Sequence, residues 1–307
     1  MVLDLNLAGR STGSGSTRYG TWTGVLTRVA GSTATPQRGR LRRPATLVPY
    51  PNFPDKHLGS PLVTPQRFLD YARTRGQLAD FEPPAGVLLL YQRSAMASLI
   101  QREQAEQLPV QYPLYTLPRT GGVVGLVGNF GIGGPMVGIL VEELAALGVR
   151  YFFSFGLAGG LQPHSRVGDI VVCTRAIRDE GVSHHYLPPE AATVPSPRLT
   201  RAVDQRLTER GAALERGATW TIDTPYRETV DEVRHYRREG VLTVEMEAAA
   251  LFAVAAVRGV EAASVLVLSD LLGETEWTPE FGADLLNSQL ELVADAGIQA
   301  ILDLATI

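Results

Sequence analysis

Acidic side chains stand at two places in this 307-residue chain where they could do chemistry. Glu245 and Glu247 flank Met246 at the start of a predicted Ala-rich helix, where they can complement the helix dipole or accept hydrogen bonds from ligand hydroxyls. Asp270 follows the apolar run 265–268, and the carboxyl end of a buried strand is where α/β sheets usually bind ligands. Burial there would favour a protonated carboxyl that donates to a ligand, whereas the alternative is a turn-capping Asp.

Glycine-rich turns precede these acids in a fixed order. Residues 131–135 read GIGGP, residues 156–160 read GLAGG, residues 167–169 read VGD, residues 244–249 read VEMEAA, and a Ser-Asp pair stands at 269–270. Each motif alone is weak, but the set in this order and spacing is specific. It resembles the nucleoside phosphorylase superfamily, which contains purine nucleoside and uridine phosphorylases and methylthioadenosine-type nucleosidases. The resemblance implies a three-layer α/β/α sandwich with a mixed, twisted central sheet.

The resemblance also implies a small-molecule nucleoside as substrate and cleavage of its N-glycosidic bond. That cleavage makes the ribose oxocarbenium-like and leaves charge on the base, so the sugar must be held and the base neutralised. Glu247 is expected to bind the ribose hydroxyls, with Met246 against the sugar and Glu245 beside them. Asp270 is the expected catalytic residue, because similar purine enzymes carry an Asp in this Ser-Asp context.

Further positions are assigned to the ligand by the same resemblance. Tyr226 lies where relatives place an aromatic ring against the base, the alternative being a core aromatic, and Ala158 and Gly159 are also assigned to the base. His57 resembles a histidine that reaches the ribose of the neighbouring subunit in some relatives, the alternative being an exposed loop residue. We therefore expect a homo-oligomer with a site shared between subunits.

The positions that should hold the nucleophile depart from the family pattern. Similar phosphorylases hold phosphate with arginines, whereas here the first-strand turn, residues 91–94, reads YQRS and Ser154 stands where an Arg is expected. A desolvated dianion needs charge-assisted donors, and beside Gly131 only Arg93 and Arg119 are candidates to supply them. The glutamate with which similar hydrolases activate water is missing from this turn too.

Three functions therefore stay open. The favoured one is cleavage of a nucleoside, by phosphorolysis with phosphate as co-substrate or by hydrolysis. The base is expected to be a purine, because the Gln and Arg pair that clamps uracil has no clear counterpart. The alternatives are a non-catalytic nucleoside-binding protein and a transferase or lyase acting on an unusual ribosyl compound. No cofactor and no metal are expected.

Composition and charge narrow the class of protein. Hydrophobic residues make up 45% of the chain, which is enough for a core, but no apolar run approaches the ~18 residues that span a bilayer. Residues 1–46 hold seven Arg and one acid, so the rest carries 21 basic and 31 acidic residues. This acidic body argues against a nucleic-acid partner. The single Cys173 cannot form an internal disulfide and agrees with a cytoplasmic protein without membrane attachment.

Two regions are expected along the chain. Residues 1–46, rich in Arg, Ser and Gly, predict a poorly ordered arm, and residues 47–307 predict a single domain. Beyond residue 80 apolar runs alternate with helical patterns, as in an α/β fold. The predicted strands are 87–91, 123–127, 151–155, 169–173, 218–222 and 263–268, and the predicted helices are 94–108, 135–147, 198–213, 229–238, 246–258 and 281–304.

Overall fold

A mixed ten-stranded sheet forms the centre of the computed structural model, which describes residues 50–110, 112–273, 276–282 and 284–306. Its strands lie in the order β10-β9-β6-β7-β8-β5-β1-β4-β3-β2. In chain order they are β1 (Gly86–Leu90), β2 (Glu106–Gln107), β3 (Leu114–Thr116), β4 (Val124–Gly128), β5 (Tyr151–Gly160), β6 (Ile170–Asp179), β7 (Leu214–Ile222), β8 (Thr243–Glu245), β9 (Glu261–Leu272) and β10 (Trp277–Pro279).

Helices cover both faces of this sheet, which confirms the predicted three-layer sandwich. They are α1 (Pro65–Thr74), α2 (Arg93–Glu103), α3 (Gly134–Leu147), α4 (Ser183–Tyr186), α5 (Pro197–Glu209), α6 (Val230–Arg238), α7 (Ala248–Arg258) and α8 (Asp284–Ala305). Alternate residues of each strand face opposite layers. Phe153 of β5 packs in the core under α2, α5 and α8, whereas Phe152 packs in the core under α3 and α7.

Within the described chain, five strands also close into a ring. β5 pairs with β9 in parallel, β9 with β6 in antiparallel, β6 with β7 and β7 with β8 in parallel, and β8 returns to β5 in antiparallel orientation. This ring explains why β5 and β6 run to Gly160 and Asp179, beyond the predicted ends at 155 and 173. Each of these strands has a neighbouring strand on both sides. This pairing keeps their glycine-rich and polar ends extended, although the apolar pattern of the sequence does not predict strand there.

Helix boundaries follow local capping. Thr229 and Glu232 form a reciprocal capping box at the start of α6, in agreement with the predicted helix 229–238. The predicted helix 94–108 is instead α2, which ends at Glu103 because Gln104 adopts a left-handed conformation (φ 50°) before β2. α7 begins at Ala248, two residues later than predicted, because residues up to Glu245 belong to β8.

Parts of the sequence prediction lie outside this fold. The arm predicted for residues 1–46 falls outside the described residues and stays a prediction, as does the single domain 47–307. Among the helices that are described, none combines the length and hydropathy needed to cross a membrane.

The contact between α8 and β5 gives a test of the fold. A Cβ added at Gly297 would overlap the ring of Phe153, whose side chain is fully buried. We expect Gly297→Ala to lower the free energy of unfolding by ~1–3 kcal/mol through overpacking, although alanine favours helices more than glycine does. The exposed Ser288→Ala on the same helix is the control, with a change within ~0.5 kcal/mol. Urea unfolding measures both, and a stabilised Gly297→Ala would contradict the packing.

Candidate functional site

The carboxyl ends of β1, β5, β8 and β9 surround a cavity of about 450 Å³. Its volume lies within the ~300–1,000 Å³ that small-molecule pockets usually occupy. The turn after β7 and the connection between β9 and β10 complete its wall. The cavity is therefore at the strand ends where the sequence predicts a site.

Glu247 connects two segments of the cavity wall. Its Oε1 accepts a hydrogen bond from the backbone N–H of Gly133 at 2.5 Å, and its Oε2 accepts one from the N–H of Met246 at 3.3 Å. Gly133 has φ 91°, a conformation that favours glycine, so the turn before α3 can aim its N–H at the carboxylate. Glu247 is 8% exposed, and this burial raises its pKa. Both Glu247 and Met246 line the cavity, and their contacts with ribose stay a prediction.

Glu245 lines the cavity too, but its carboxylate accepts hydrogen bonds at the N-terminus of α7. It accepts hydrogen bonds from Thr221 Oγ1 at 2.5 Å, from the N–H of Glu247 at 2.9 Å and from the N–H of Ala248 at 2.7 Å. Burial and the nearby charge of Glu247 raise the pKa of Glu245. Both oxygens of Glu245 are thus engaged within the protein, and its place beside the ribose stays a prediction.

Asp270 lies on the other side of β5 from β1 and is also held in place. Its Oδ1 accepts a hydrogen bond from Ser269 Oγ at 2.7 Å, and its Oδ2 accepts one from Trp277 Nε1 at 2.8 Å. Gly159 is its register partner, and Ala158 and Gly159 line the cavity beside it. The three residues assigned to the base from β5 and β9 are thus brought together.

The turn between β7 and α6 adds two side chains to this end of the cavity. Tyr226 is 86% exposed and lines the cavity, so the alternative of a core aromatic is wrong. Glu228 also lines the cavity, and burial together with the charge of Asp270 raises its pKa to about 7. Sequence reasoning missed Glu228 and the Trp277 that binds Asp270. A Glu in a polar turn and a Trp in a short strand carry no local signal of a shared cavity.

Neutral groups occupy the side of the cavity next to β1. The hydroxyl of Tyr91 and Oγ of Ser154 lie 2.8 Å apart in a hydrogen bond. Burial, followed by the charge of Glu247, raises the pKa of Tyr91, which therefore stays a neutral phenol. Oε1 of Gln92 is buried and has no hydrogen-bond partner within the described structure. Tyr91 and Gln92 line the cavity, whereas Ser154 lies behind Tyr91.

The two arginines considered for an anion site do not line this cavity. Arg119 precedes β4 and is paired with the buried Glu103 at the end of the sheet opposite Tyr91, since β1 and β4 run parallel. Arg119 therefore does not reach this cavity of its own chain, and its anion-binding role stays a prediction. Arg93 begins α2 with an exposed side chain that does not reach the cavity wall.

Two other predicted positions also lie outside the wall. Gly131 has φ 100° in the turn that carries Ile132 and Gly133, but only Ile132 of this turn lines the cavity. The anion contact proposed for Gly131 therefore stays a prediction. His57 lies on the short helix Lys56–Leu58 and does not line the cavity of its own chain. Its role in a neighbouring subunit stays a prediction.

The lining of the cavity is strongly acidic. Among the described residues that form it, none is a Lys, an Arg or a His. Five are acids, namely Glu228, Glu245, Glu247, Asp270 and Glu276. No group of three side chains suited to a metal ion is found in the described chain. These acidic groups can accept hydrogen bonds from the hydroxyl and N–H groups of a ligand.

The sequence model of the Phosphorylase superfamily matches residues 95–301. Uridine phosphorylase of Escherichia coli is 38% identical over 154 residues, which cover 46% of this chain and 61% of that protein. The chain thus spans about three fifths of that relative. A DeoD-type purine nucleoside phosphorylase of Bacillus cereus is 34% identical over 193 residues, covering 58% of this chain and 81% of that protein.

A solved structure agrees at the level of the fold. The AMP nucleosidase of Bacteroides thetaiotaomicron superposes with a TM-score of 0.62 at 23% identity, covering 76% of this chain and 97% of that chain. At this identity the likeness shows a shared fold only, and the chemistry of the site must be argued from the residues of this chain.

The two buried glutamates predict how stability depends on pH. Their folded pKa values are raised, so the stability that their protonated forms contribute is full below the unfolded pKa and is lost as pH rises through the folded pKa. Between about pH 5 and about pH 8 we expect the free energy of unfolding of Glu245→Gln to fall less than that of the wild type. Glu106→Gln, at an exposed position of β2, is the control and should follow the wild type. Equal pH slopes for all three proteins in urea unfolding would contradict the assignment.

Proposed function

The chain belongs to the phosphorylase superfamily, and from this premise we propose that it cleaves the N-glycosidic bond of a purine-type nucleoside with water as the acceptor. One observation carries the proposal. The cavity joins a buried carboxylate suited to ribose hydroxyls with acidic groups at the base end, and its described lining holds no cation.

Glu247 is the sugar-binding group in this proposal. The Gly133 and Met246 N–H groups use one lone pair on each of its oxygens, so the remaining lone pairs can accept from the 2′- and 3′-hydroxyls. Because the carboxylate is buried and held at both oxygens, little reorganisation accompanies binding. Met246 then lies beside the sugar in the same cavity.

The acceptor is inferred from charge. A phosphate dianion would have to shed its water beside Glu247 without a described cationic donor, and burying an uncompensated ion costs several kcal/mol. A neutral water molecule does not have this desolvation cost. Gln92 Oε1 is an unused buried acceptor that can orient a water molecule, and the Tyr91 and Ser154 pair beside it is neutral. These features favour hydrolysis over phosphorolysis at this site.

The type of base is inferred from the end of the cavity at which Asp270 and Glu228 lie. Asp270 and Glu228 face a ligand with carboxyl groups, which suit a base that carries N–H donors or a ring nitrogen that accepts a proton on leaving. Purines offer such a nitrogen at N7. Relatives named as purine nucleoside phosphorylase and as uridine phosphorylase both match the chain, so the purine preference rests on these two carboxyls and is a proposal.

Substitution of Glu247 tests the sugar site. Glu247→Gln keeps an acceptor for the Gly133 N–H but replaces the charged acceptor that faces the ligand, so nucleoside binding should weaken by ~1.5–3 kcal/mol. Calorimetry measures the change, and thermal unfolding checks that the variant is folded. Glu239→Gln, exposed on the far end of α6, serves as the matched loss of charge and should bind normally. Unchanged affinity in Glu247→Gln would remove this residue from the sugar site.

Product identity tests the acceptor. We expect the protein to release free ribose from at least one of inosine, guanosine and adenosine, and to do so at a rate that phosphate does not increase. Chromatography of the sugar product against ribose and ribose 1-phosphate standards, with and without phosphate, separates the two reactions. Ribose 1-phosphate as the main product would contradict hydrolysis, and binding without cleavage would contradict an enzymatic role.

A further inference from the structure

The order of the strands around the cavity separates the places available to the parts of a ligand. Glu247 follows β8, while Val244 of β8 and Asp270 of β9 are the register partners of Gly159 on the two sides of β5. Val244 and Asp270 are therefore two strand spacings of ~4.8 Å apart. β10 pairs with β9 on the side away from β5, and this places it one further spacing beyond Asp270.

Trp277 of β10 is held against this outer end of the cavity. Its indole Nε1 donates a hydrogen bond to Asp270 Oδ2 at 2.8 Å, and this uses the one polar atom of the side chain. Trp277 is 57% exposed and lines the cavity, and the centroid of the Phe281 ring lies 5.9 Å from the centroid of the Trp277 ring. Phe281 lines the cavity as well. The surface that these two residues offer a ligand is therefore apolar and aromatic.

The connection between β7 and α6 adds apolar groups to the same cavity. Tyr226 and Val230 both line it from this connection and the start of α6, and both side chains are exposed. Leu272 lines it from the end of β9, beside β10. Exposed large apolar groups that gather in this way mark a binding surface. We call the rings of Tyr226, Trp277 and Phe281 the aromatic surface.

Charge restricts what can cover the aromatic surface. Glu276, which directly precedes Trp277, lines the cavity, and so does Glu228 in the turn that carries Tyr226. A negatively charged group would be placed beside these acids, and no described residue of the lining is a cation that could pair with it. Burial of apolar surface is favourable in proportion to its area, so a neutral apolar group fits these rings.

We propose that the aromatic surface binds an aromatic substituent on the exocyclic 6-nitrogen of the purine. The inference rests on the proposed function and deepens it, because it names the class of substrate as a purine nucleoside with a bulky apolar group on its base. With the ribose at Glu247 and the N7 and C6 edge of the base at Asp270, a group on C6 extends past Asp270 toward β10. Its ring then packs against Trp277 and Phe281 in offset or edge-to-face geometry.

Affinity for matched ligands tests the substituent site. The carbocyclic analogues of adenosine and N6-benzyladenosine lack the ring oxygen of ribose and resist cleavage, so calorimetry measures binding alone. We expect the benzyl compound to bind the wild type at least ~10-fold more tightly, because its ring buries apolar area. The carbocyclic analogue of N6-(2-aminoethyl)adenosine, which carries a cationic group in place of the ring, should gain less. Equal affinity of the benzyl and unsubstituted compounds, or tightest binding of the aminoethyl compound, would overturn the inference.

Variants of the two rings locate the substituent. Phe281→Ala and Trp277→Ala should each reduce the advantage of the benzyl compound by ~5-fold or more. Trp277→Phe keeps a ring but lacks the N–H that binds Asp270, so it should retain most of the advantage. Tyr71→Ala removes an exposed aromatic ring of α1 that does not line the cavity, and it should leave the ratio of affinities unchanged. An advantage that survives in both alanine variants of the aromatic surface would contradict the proposed location.

Cleavage is measured separately and reports on the proposed function. A wild type that releases ribose from adenosine, inosine or guanosine but binds the benzyl and unsubstituted analogues equally retains the proposed function and refutes the inference. A wild type that prefers the benzyl analogue but cleaves neither adenosine nor N6-benzyladenosine supports the substituent site and refutes the proposed function. Failure to bind any of the three analogues would refute both.

Discussion

The hydrogen bond from the Gly133 N–H to the Glu247 carboxylate is the contact on which the site depends. It joins the glycine turn that begins α3 to the residue that precedes α7, and both helices lie on the same face of the sheet. Glu245 holds the other side of this junction by accepting three hydrogen bonds at the start of α7. Two adjacent buried carboxyls are unfavourable in isolation, and the backbone donors around them make the arrangement tolerable.

Charge decides what this geometry can bind. The burial of Glu247 disfavours an anion beside it unless a cation pairs with that anion, and none of the described residues that line the cavity is a cation. The side of the cavity next to β1 also lacks a described cation, because Tyr91 and Ser154, which are hydrogen-bonded to each other there, are both neutral. In the proposed function the ligand is a nucleoside without phosphate, and the acceptor is water, which brings no further negative charge. At the other end, burial and then the charge of Asp270 raise the pKa of Glu228 to about 7.

Sequence motifs located much of the site, because Glu247, Asp270 and the glycine turns are each contiguous with a strong strand or helix pattern. Glu228 escaped, since its place in the cavity depends on the closure of β7, β8, β5, β9 and β6 into a ring, which no local pattern reveals. Arg119 was considered for the anion site because sequence alone does not show which end of the sheet it occupies. The parallel pairing of β1 with β4 places it at the end opposite the cavity, where it pairs with Glu103. Strand length was underestimated where glycines and arginines interrupt the apolar run. The position of Glu228, the position of Arg119 and the lengths of the strands all depend on which strands pair, and strand pairing involves residues far apart in the sequence.

The central claim is that this cavity accepts a neutral ribosyl ligand and rejects phosphate. Titration of the wild-type protein with inorganic phosphate, followed by ³¹P NMR line width in the presence and absence of a nucleoside, tests it most directly. The protein is used in whatever oligomeric form it takes, so a cation supplied by a neighbouring subunit would be detected as well. The account predicts no saturable broadening in the millimolar range. Saturable phosphate binding that a nucleoside strengthens would contradict it and would indicate phosphorolysis.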